Sequence, residues 1–354
     1  MTLSPDTGAA LASPSVPGAT VGPDASSLPP VADGGVGRAV LRLLLRRALQ
    51  AVGVTFAVTT ACFAIMQQLP GDAAFRIAAG RYGYDFVTAA SADAVRGELG
   101  LDRPAWQQLL TWWGDALRMD LGTSLVTGAD VAHEVLHGLG HTLQLAGLAL
   151  LLASVLGIAA GAAAARRPGG GVDRLVGVWV VVARSLPPFV LGLLLVVLMA
   201  VQLGVLPVAG TGTPAHAVLP ATTLAVGLSG LVARIARDAI VQVSTSEHVR
   251  FAQTRGLSPS AVVRRHVLRN VGTTLVAYLG VQALVLVEGV IVVESVFAWP
   301  GIGHTLVHGV FWRDVPVIQG TAIALALVVV AVNALVDVLT LLLDPRPRET
   351  AVIP

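Results

Sequence analysis

The sequence predicts an all-α polytopic membrane protein with six transmembrane helices. Two observations carry this class. Hydrophobic residues make up 55% of the chain and charged residues only 12%, with a mean hydropathy of +0.76. A soluble domain holds about a quarter charged residues. Six apolar runs, near 48–69, 142–165, 175–203, 217–236, 272–297 and 316–343, match the ~20 residues that a helix needs to cross the hydrocarbon. The fourth is the least continuous, because Pro220 and several glycines interrupt it.

Arginine placement orients the runs. Arg38, Arg42, Arg46 and Arg47 precede the first run, and Arg166, Arg167 and Arg174 separate the second from the third. Arg234, Arg237, Arg250, Arg255, Arg264, Arg265 and Arg269 lie between the fourth and fifth, and Arg346 and Arg348 follow the sixth. The opposite side holds Arg76, Arg81, Arg96, Arg103, Arg118 and Arg313, outnumbered there by acids such as Asp72, Asp85, Asp93, Glu98 and Asp102. Both termini are therefore expected in the cytoplasm of a multi-pass cell-membrane protein.

All 23 basic residues are arginine, and the net charge is only +2. With no nucleic-acid motif, that balance gives no reason to expect a nucleic-acid partner. The single cysteine, Cys62, lies in an apolar run and excludes an intramolecular disulfide. Residues 1–36 are rich in Ala, Pro, Gly and Ser without apolar periodicity, and read as a disordered tail. Residues 37–70 form an amphipathic segment and the first span. Residues 71–141 form an extracytoplasmic loop with short helices. Residues 142–346 hold the five remaining spans, with a polar loop at 237–271, and 347–354 form a cytoplasmic tail. Within the extracytoplasmic loop, LDRPAWQQLLTWWGDALRMDLG reads as an amphipathic helix with Asp102 as N-cap and Pro104 in its first turn. Trp106, Trp112 and Trp113 suit either lipid headgroups or packing against the bundle.

The stretch Arg250–Val271, RFAQTRGLSPSAVVRRHVLRNV, is the most unusual in the chain. It carries five arginines and no acid across 22 residues, so it must stand in water at a membrane face. Its pattern predicts two short helices. One ends near Arg255, and Gly256 supplies the positive φ of a tight helix exit. Ser258 caps the next, with Pro259 at its first position. Such a helix–turn–helix fits a groove on a soluble partner; the plainer reading is a solvated basic loop.

FAQTRGLSPSAVVRRHVLRN resembles the cytoplasmic coupling motif, the EAA loop, of ABC importer permeases in its dipeptide/oligopeptide (DppB/OppB-type) form. The resemblance runs from about Arg42 to Arg346. It includes LPGDAA at 69–74, ELGLDRPAWQQLLTWW at 98–113, MDLGTSL at 119–125, SLPPFVLG at 185–192, VVESVFAWPGIGHTLVHGVFWRDVPVIQG at 292–320 and VDVLTLLLDPR at 336–346. It implies the ABC type I importer permease fold, with cytoplasmic coupling helices between spans four and five. It also implies a subunit of an ATP-driven, binding-protein-dependent importer of di- or oligopeptides that forms half of the translocation path. The implied partners are a second, DppC/OppC-like permease, one or two ATP-binding subunits, an extracytoplasmic solute-binding protein and the lipid bilayer. ATP and Mg would be bound by the partner subunits, with no cofactor and no enzymatic activity in this chain. In agreement, the chain has no phosphate-cradling GxxxxGK[ST] loop. Ala252 and Gly256 match the motif's second alanine and its glycine, and Leu257, His266, Leu268, Arg269 and Asn270 match its second half. With Arg250 and Arg255 these are the expected ATPase-coupling residues. Arg250 stands where the motif is acidic, and Thr274 where proline is frequent. Related permeases serve nickel complexes, glutathione, haem and sugars, so the substrate stays open.

Other residues offer chemistry. His133-Glu134-Val135-Leu136-His137 is a literal HExxH, which on a helix can hold zinc through His133 and His137 with Glu134 as base. This supports an alternative, a membrane-embedded zinc metalloprotease. Against it, Gly138 and Gly140 are expected to weaken a helix there. Arg184, Glu288, Glu294 and Asp337 are ionisable residues inside predicted spans, and such residues are functional candidates. Glu288 is expected to line the path or pair with Arg184. Glu294 and Asp337 are expected in structural hydrogen bonds, with Asn333 one turn from Asp337 on the same face. An ion-coupled secondary transporter, with Glu288 or Asp337 as proton carrier, is the third reading. Pro187 and Pro188 are expected to kink span three.

Overall fold

The computed structural model describes residues 34–255, 258 and 268–343. Twelve helices make up the described fold. They are α1 (Gly34–Gln68), α2 (Ala73–Tyr82), α3 (Ala89–Leu99), α4 (Ala105–Ala116), α5 (Val131–Ala165), α6 (Gly171–Ser185), α7 (Pro188–Leu195), α8 (Ala215–Ser244), α9 (Glu247–Thr254), α10 (Leu268–Val296), α11 (Ile302–Trp312) and α12 (Val315–Leu343). A π-helical stretch, Val196–Gln202, continues α7. Four helices, α1, α5, α8 and α12, are long and apolar enough to cross a bilayer. Two bent pairs meet the same test: α6 with Pro188–Gln202, bent by 101°, and Asn270–Leu286 with Gly289–Val296, bent by 51°. The six predicted runs thus correspond to four single helices and two bent pairs. Helix α1 begins at Gly34, so the last three residues of the segment expected as a tail belong to it; the rest of that segment lies outside the described residues.

Helix α5 begins at Val131, well before the predicted 142, so HExxH lies in its first turns. The Asp130 carboxylate accepts from His133 N at 2.8 Å and caps the helix. The helix runs unbroken through Gly138 and Gly140, which were expected to weaken it. A Cβ on Gly138 would lie 3.2 Å from Ile302 N, so the glycine serves a close helix–helix approach. At α4 the capping expectation also fails. Pro104 occupies the N-cap with no side-chain bond, and Asp102 faces Arg96 Nε at 4.0 Å instead.

The centre of the bundle is the α5–α8 crossing. Leu145, Ala149, Ala153, Gly157 and Gly161 recur every four residues along the buried stripe of α5. On α8 they meet Ala221, Ala225, Ser229, Val232, Ala233 and Ala236, all buried. Lipid tails are as apolar as leucine, so helix association in a bilayer relies on close packing of small residues. A Cβ on Gly157 would lie 2.6 Å from Val232 Cβ and 2.8 Å from Ser229 O. Phe297, Trp299, Val290 and Val293 of α10 and its exit complete this core. Outside the bundle, α2 and α3 pack together on Ile77, Ala78 and Val95. Asp72 caps α2, and a Thr88–Ser91 capping box starts α3.

The crossing generates a test with an internal control on one helix. Gly157→Ala forces α5 off α8 and is expected to cost about 1–3 kcal/mol, seen as a lower midpoint in thermal unfolding of the detergent-solubilised protein. Gly147, with nothing within 4 Å of its would-be Cβ, gains helix propensity as alanine and is expected to unfold no earlier than the parent.

Candidate coupling and translocation site

At the foot of the bundle α8 ends at Ser244, and α9 follows after Thr245 and Ser246. Ser246 Oγ donates to Val243 O at 2.6 Å, and Val249 of α9 is buried against Val243. These contacts seat α9 directly on the end of α8. The outer face of α9 carries charge around an exposed Phe251: Arg250 pairs with Glu247 at 3.2 Å, and the Arg255 guanidinium lies 4.7 Å from the Phe251 ring centroid. Ala252 lies within α9, and Leu268, Arg269 and Asn270 open α10. Thr274 Oγ1 donates to Asn270 O at 3.3 Å without leaving the helix. Gly256, Leu257 and His266, with the expected second coupling helix, lie outside the described residues.

Above α9 a clamp joins α8 to α6, which the sequence reading missed. Arg237 Nε and Nη2 reach the two oxygens of Asp173 at 3.0 and 2.8 Å, a bidentate pair. Asp173 also accepts from Gly169 N at 2.8 Å, and Arg237 Nη1 donates to Asp238 at 2.9 Å. The two residues are 64 positions apart, so only the fold brings them together.

The predicted in-span residues separate into different roles. Arg184 is exposed at the end of α6. Pro187 occupies the N-cap of α7 and Pro188 its first turn, and together they break the span rather than kink it. The Glu288 side chain, and with it the expected pairing to Arg184, lies outside the described residues. Asn333 Nδ2 donates to Val329 O at 2.9 Å on an exposed face. Asp337 instead crosses to α1, where Arg47 Nε donates to it at 3.0 Å and Nη2 makes a second contact.

Glu294 is fully buried. Thr142 Oγ1 donates to Glu294 Oε1 at 2.5 Å, and Gly303 N donates to Oε2 at 3.0 Å. The Thr142 hydroxyl in turn accepts from Ile302 N at 2.8 Å. Trp299 Nε1 donates to His141 O at 3.1 Å. The carboxylate thus caps the N-terminus of α11 from the end of α10. A Cβ on Gly301 would overlap the carboxylate, and Gly303 would come within 2.8 Å of it, so WPGIG has glycine at both places. A second junction lies at Arg313–Asp314. Arg313 adopts φ 57° and donates to the carbonyls of Pro70 and Gly71. Asp314 accepts from Ser124 Oγ at 2.5 Å and Leu125 N at 3.1 Å.

His133 and His137 stack at 6.2 Å between centroids, and His137 meets His141 edge-on at 4.8 Å. Among the described residues no three His, Cys, Asp or Glu side chains form a metal-holding group. His304 and His308 lie 4.4 Å apart on α11; burial, then the neighbouring His308 charge, push the His304 imidazole below its ordinary value.

The described residues thus form a multi-pass helical bundle, with broken apolar spans around a small-residue crossing and a short helix seated on one end. Residues 153–349, more than half of the chain, match the family of binding-protein-dependent transport system inner membrane components. The chain is 36% identical over 309 residues to the glutathione transport system permease protein GsiC of Escherichia coli strain K12, covering 87% of this chain and 99% of that protein. It is 33% identical over 313 residues to a probable peptide ABC transporter permease, y4tP, of Sinorhizobium fredii, covering 86% and 98%. Among solved structures it is similar to an amino acid ABC transporter with histidines (21% identity, TM-score 0.47, covering 58% of this chain and 92% of that one). It is also similar to the inward-facing MetNI methionine ABC transporter (19%, 0.48, 60% and 96%). The chain belongs to the family of binding-protein-dependent transport system inner membrane components: it is an ABC importer permease.

The Asp173–Arg237 clamp is open to a charge-swap test. Asp173→Arg or Arg237→Asp alone sets like charges face to face and is expected to lower the thermal midpoint. The double swap is expected to recover most of the loss in the same unfolding assay.

Proposed function

We propose that this permease imports short peptides and takes its drive from ATPase subunits seated against α9 and the segment that follows it. The observation that carries the coupling role is the placement of α9. Val249 and Ser246 fasten it to α8, the helix most deeply packed in the bundle. A push on α9 therefore enters the core through α8, and reaches α6 through Arg237 and Asp173. Arg250, Ala252, Arg255, Gly256, Leu257, His266, Leu268, Arg269 and Asn270 form the proposed ATPase contact. The partners are one or two ATP-binding subunits, which hold ATP and Mg, a second DppC/OppC-like permease, and an extracytoplasmic binding protein.

The peptide assignment rests on the two relatives, named for glutathione and peptide transport. Glutathione is itself a tripeptide, so both names describe one substrate chemistry. The arginine distribution supports cytoplasmic termini. The long α5–α8 packing and the two buried junctions give this chain a scaffold for transport, with ATP hydrolysis left to the partners.

Gly256→Arg tests the coupling role. When the complex is purified through a tag on this chain, the variant is expected to lose the ATPase subunits. ATP-driven uptake of a labelled di- or tripeptide is expected to fall by roughly tenfold or more, the scale set by losing a contact worth over 1.4 kcal/mol. Undiminished ATPase recovery together with undiminished uptake would contradict the assignment.

A further inference from the structure

We propose that Arg184 stands in the water-filled translocation path and receives the carboxylate of the transported peptide; this rests on the peptide-importer reading above. Three observations place it there. The first is depth. Helix α6 runs antiparallel to α8: Asp173 pairs with Arg237, and a Cβ on Gly230 would lie 2.9 Å from Trp179 Cδ1 and 3.2 Å from Val180 Cα. Beyond the break, a Cβ on Gly192 would lie 3.5 Å from Thr223 Cγ2. Arg184 falls between these contacts, opposite the middle of α8 (Ala215–Ser244), which places it near the bilayer midplane.

The second observation is the backbone. In an unbroken helix the carbonyls of Ala183 and Arg184 would accept from the N–H groups of residues 187 and 188. Both are prolines and have none. The span turns by 101° at this point. Hydrocarbon does not tolerate bare carbonyls; non-helical backbone at membrane depth survives only against protein or against a water-filled cavity. Ser185, Pro187 and Pro188 are exposed on this chain, as is Phe189 at 45%, so the chain itself does not cover the break.

The third is the charge. The Arg184 side chain is exposed on the same turn, and among the described residues no ion pair or hydrogen bond holds it. A guanidinium cannot deprotonate, and at midplane depth it cannot face lipid without a cost of several kcal/mol. Water in the path resolves all three constraints at once. A guanidinium beside bare carbonyls offers a peptide what it requires: a cationic fork for its carboxylate and carbonyl acceptors for its ammonium or amide N–H groups.

The test uses the assembled transporter carrying Cys62→Ser, which removes this chain's single thiol, with Arg184→Cys added and labelling read on this chain against the Cys62→Ser parent. Position 184 is expected to react with a membrane-impermeant thiol reagent in the nucleotide-free complex. A dipeptide with a free C-terminal carboxylate is expected to slow that reaction, and the same dipeptide as its C-terminal amide is not. Uptake is expected to fall roughly tenfold or more, to recover after 2-aminoethyl methanethiosulfonate restores a cation, and to stay low after the uncharged methyl reagent. No reaction in the assembled complex would overturn the proposal, because the position would then face protein or lipid. Equal protection by peptide and amide, or equal rescue by the uncharged reagent, would overturn it as well. Failure of the peptide-importer reading is seen separately, as absence of ATP-driven peptide uptake in the Cys62→Ser parent that retains Arg184.

Discussion

A carboxylate buried between three helices organises one end of this permease. Glu294 ends its span inside the protein, fully removed from solvent. Taking a charge out of water costs several kcal/mol unless hydrogen bonds replace the lost solvation. Here the Thr142 hydroxyl and the Gly303 amide do so, and the N-terminal dipole of α11 favours the negative charge. The arrangement fixes three things at once: where α10 stops, the direction in which α11 leaves, and the height of α5 beside them. The Trp299 indole, bonded to the His141 carbonyl, locks the same junction from its other side.

The remaining junctions extend this frame outward. Arg313 and Asp314, adjacent in sequence, reach in two directions, to the exit of α1 and to the loop at Ser124–Leu125. The segment that carries α2, α3 and α4 is therefore held by the start of α12 as well as by its own small core. At the opposite end, Arg47 and Asp337 tie α1 to α12, and Arg237 and Asp173 tie α8 to α6. The polar contacts concentrate near the ends of the spans, while the centre is packed by glycine and alanine.

Much of this was legible in the sequence, for reasons that particular residues make clear. The six spans follow from apolar length alone, a strong signal in a chain with 12% charge. The polar segment around Arg250 stands out for the same reason. Glu294 and Asp337 were expected in structural hydrogen bonds because their segments resemble the permease family, and both side chains are hydrogen-bonded. The partners themselves were not legible, since Thr142 and Arg47 lie 152 and 290 positions away. Asp173 and Arg237 passed unnoticed among loop charges. Gly138 was read as weakening a helix because local propensity carries no knowledge of the Ile302 backbone that approaches it. Asp102 was read as a cap because Pro104 hid the true start of α4, which has no side-chain cap. At Pro187–Pro188 the residues announced a distortion, but its 101° size comes from tertiary packing of both halves against α8.

The central claim is that Thr142 and Glu294 act as one unit that joins α5, α10 and α11. A double-mutant cycle with Thr142→Val, Glu294→Gln and both together, read by unfolding of the detergent-solubilised protein, addresses it most directly. The account predicts that the double variant loses less than the sum of the two single losses, with a coupling of about 1 kcal/mol or more between the sites. Losses that add to within about 0.3 kcal/mol, as for independent positions, would contradict it.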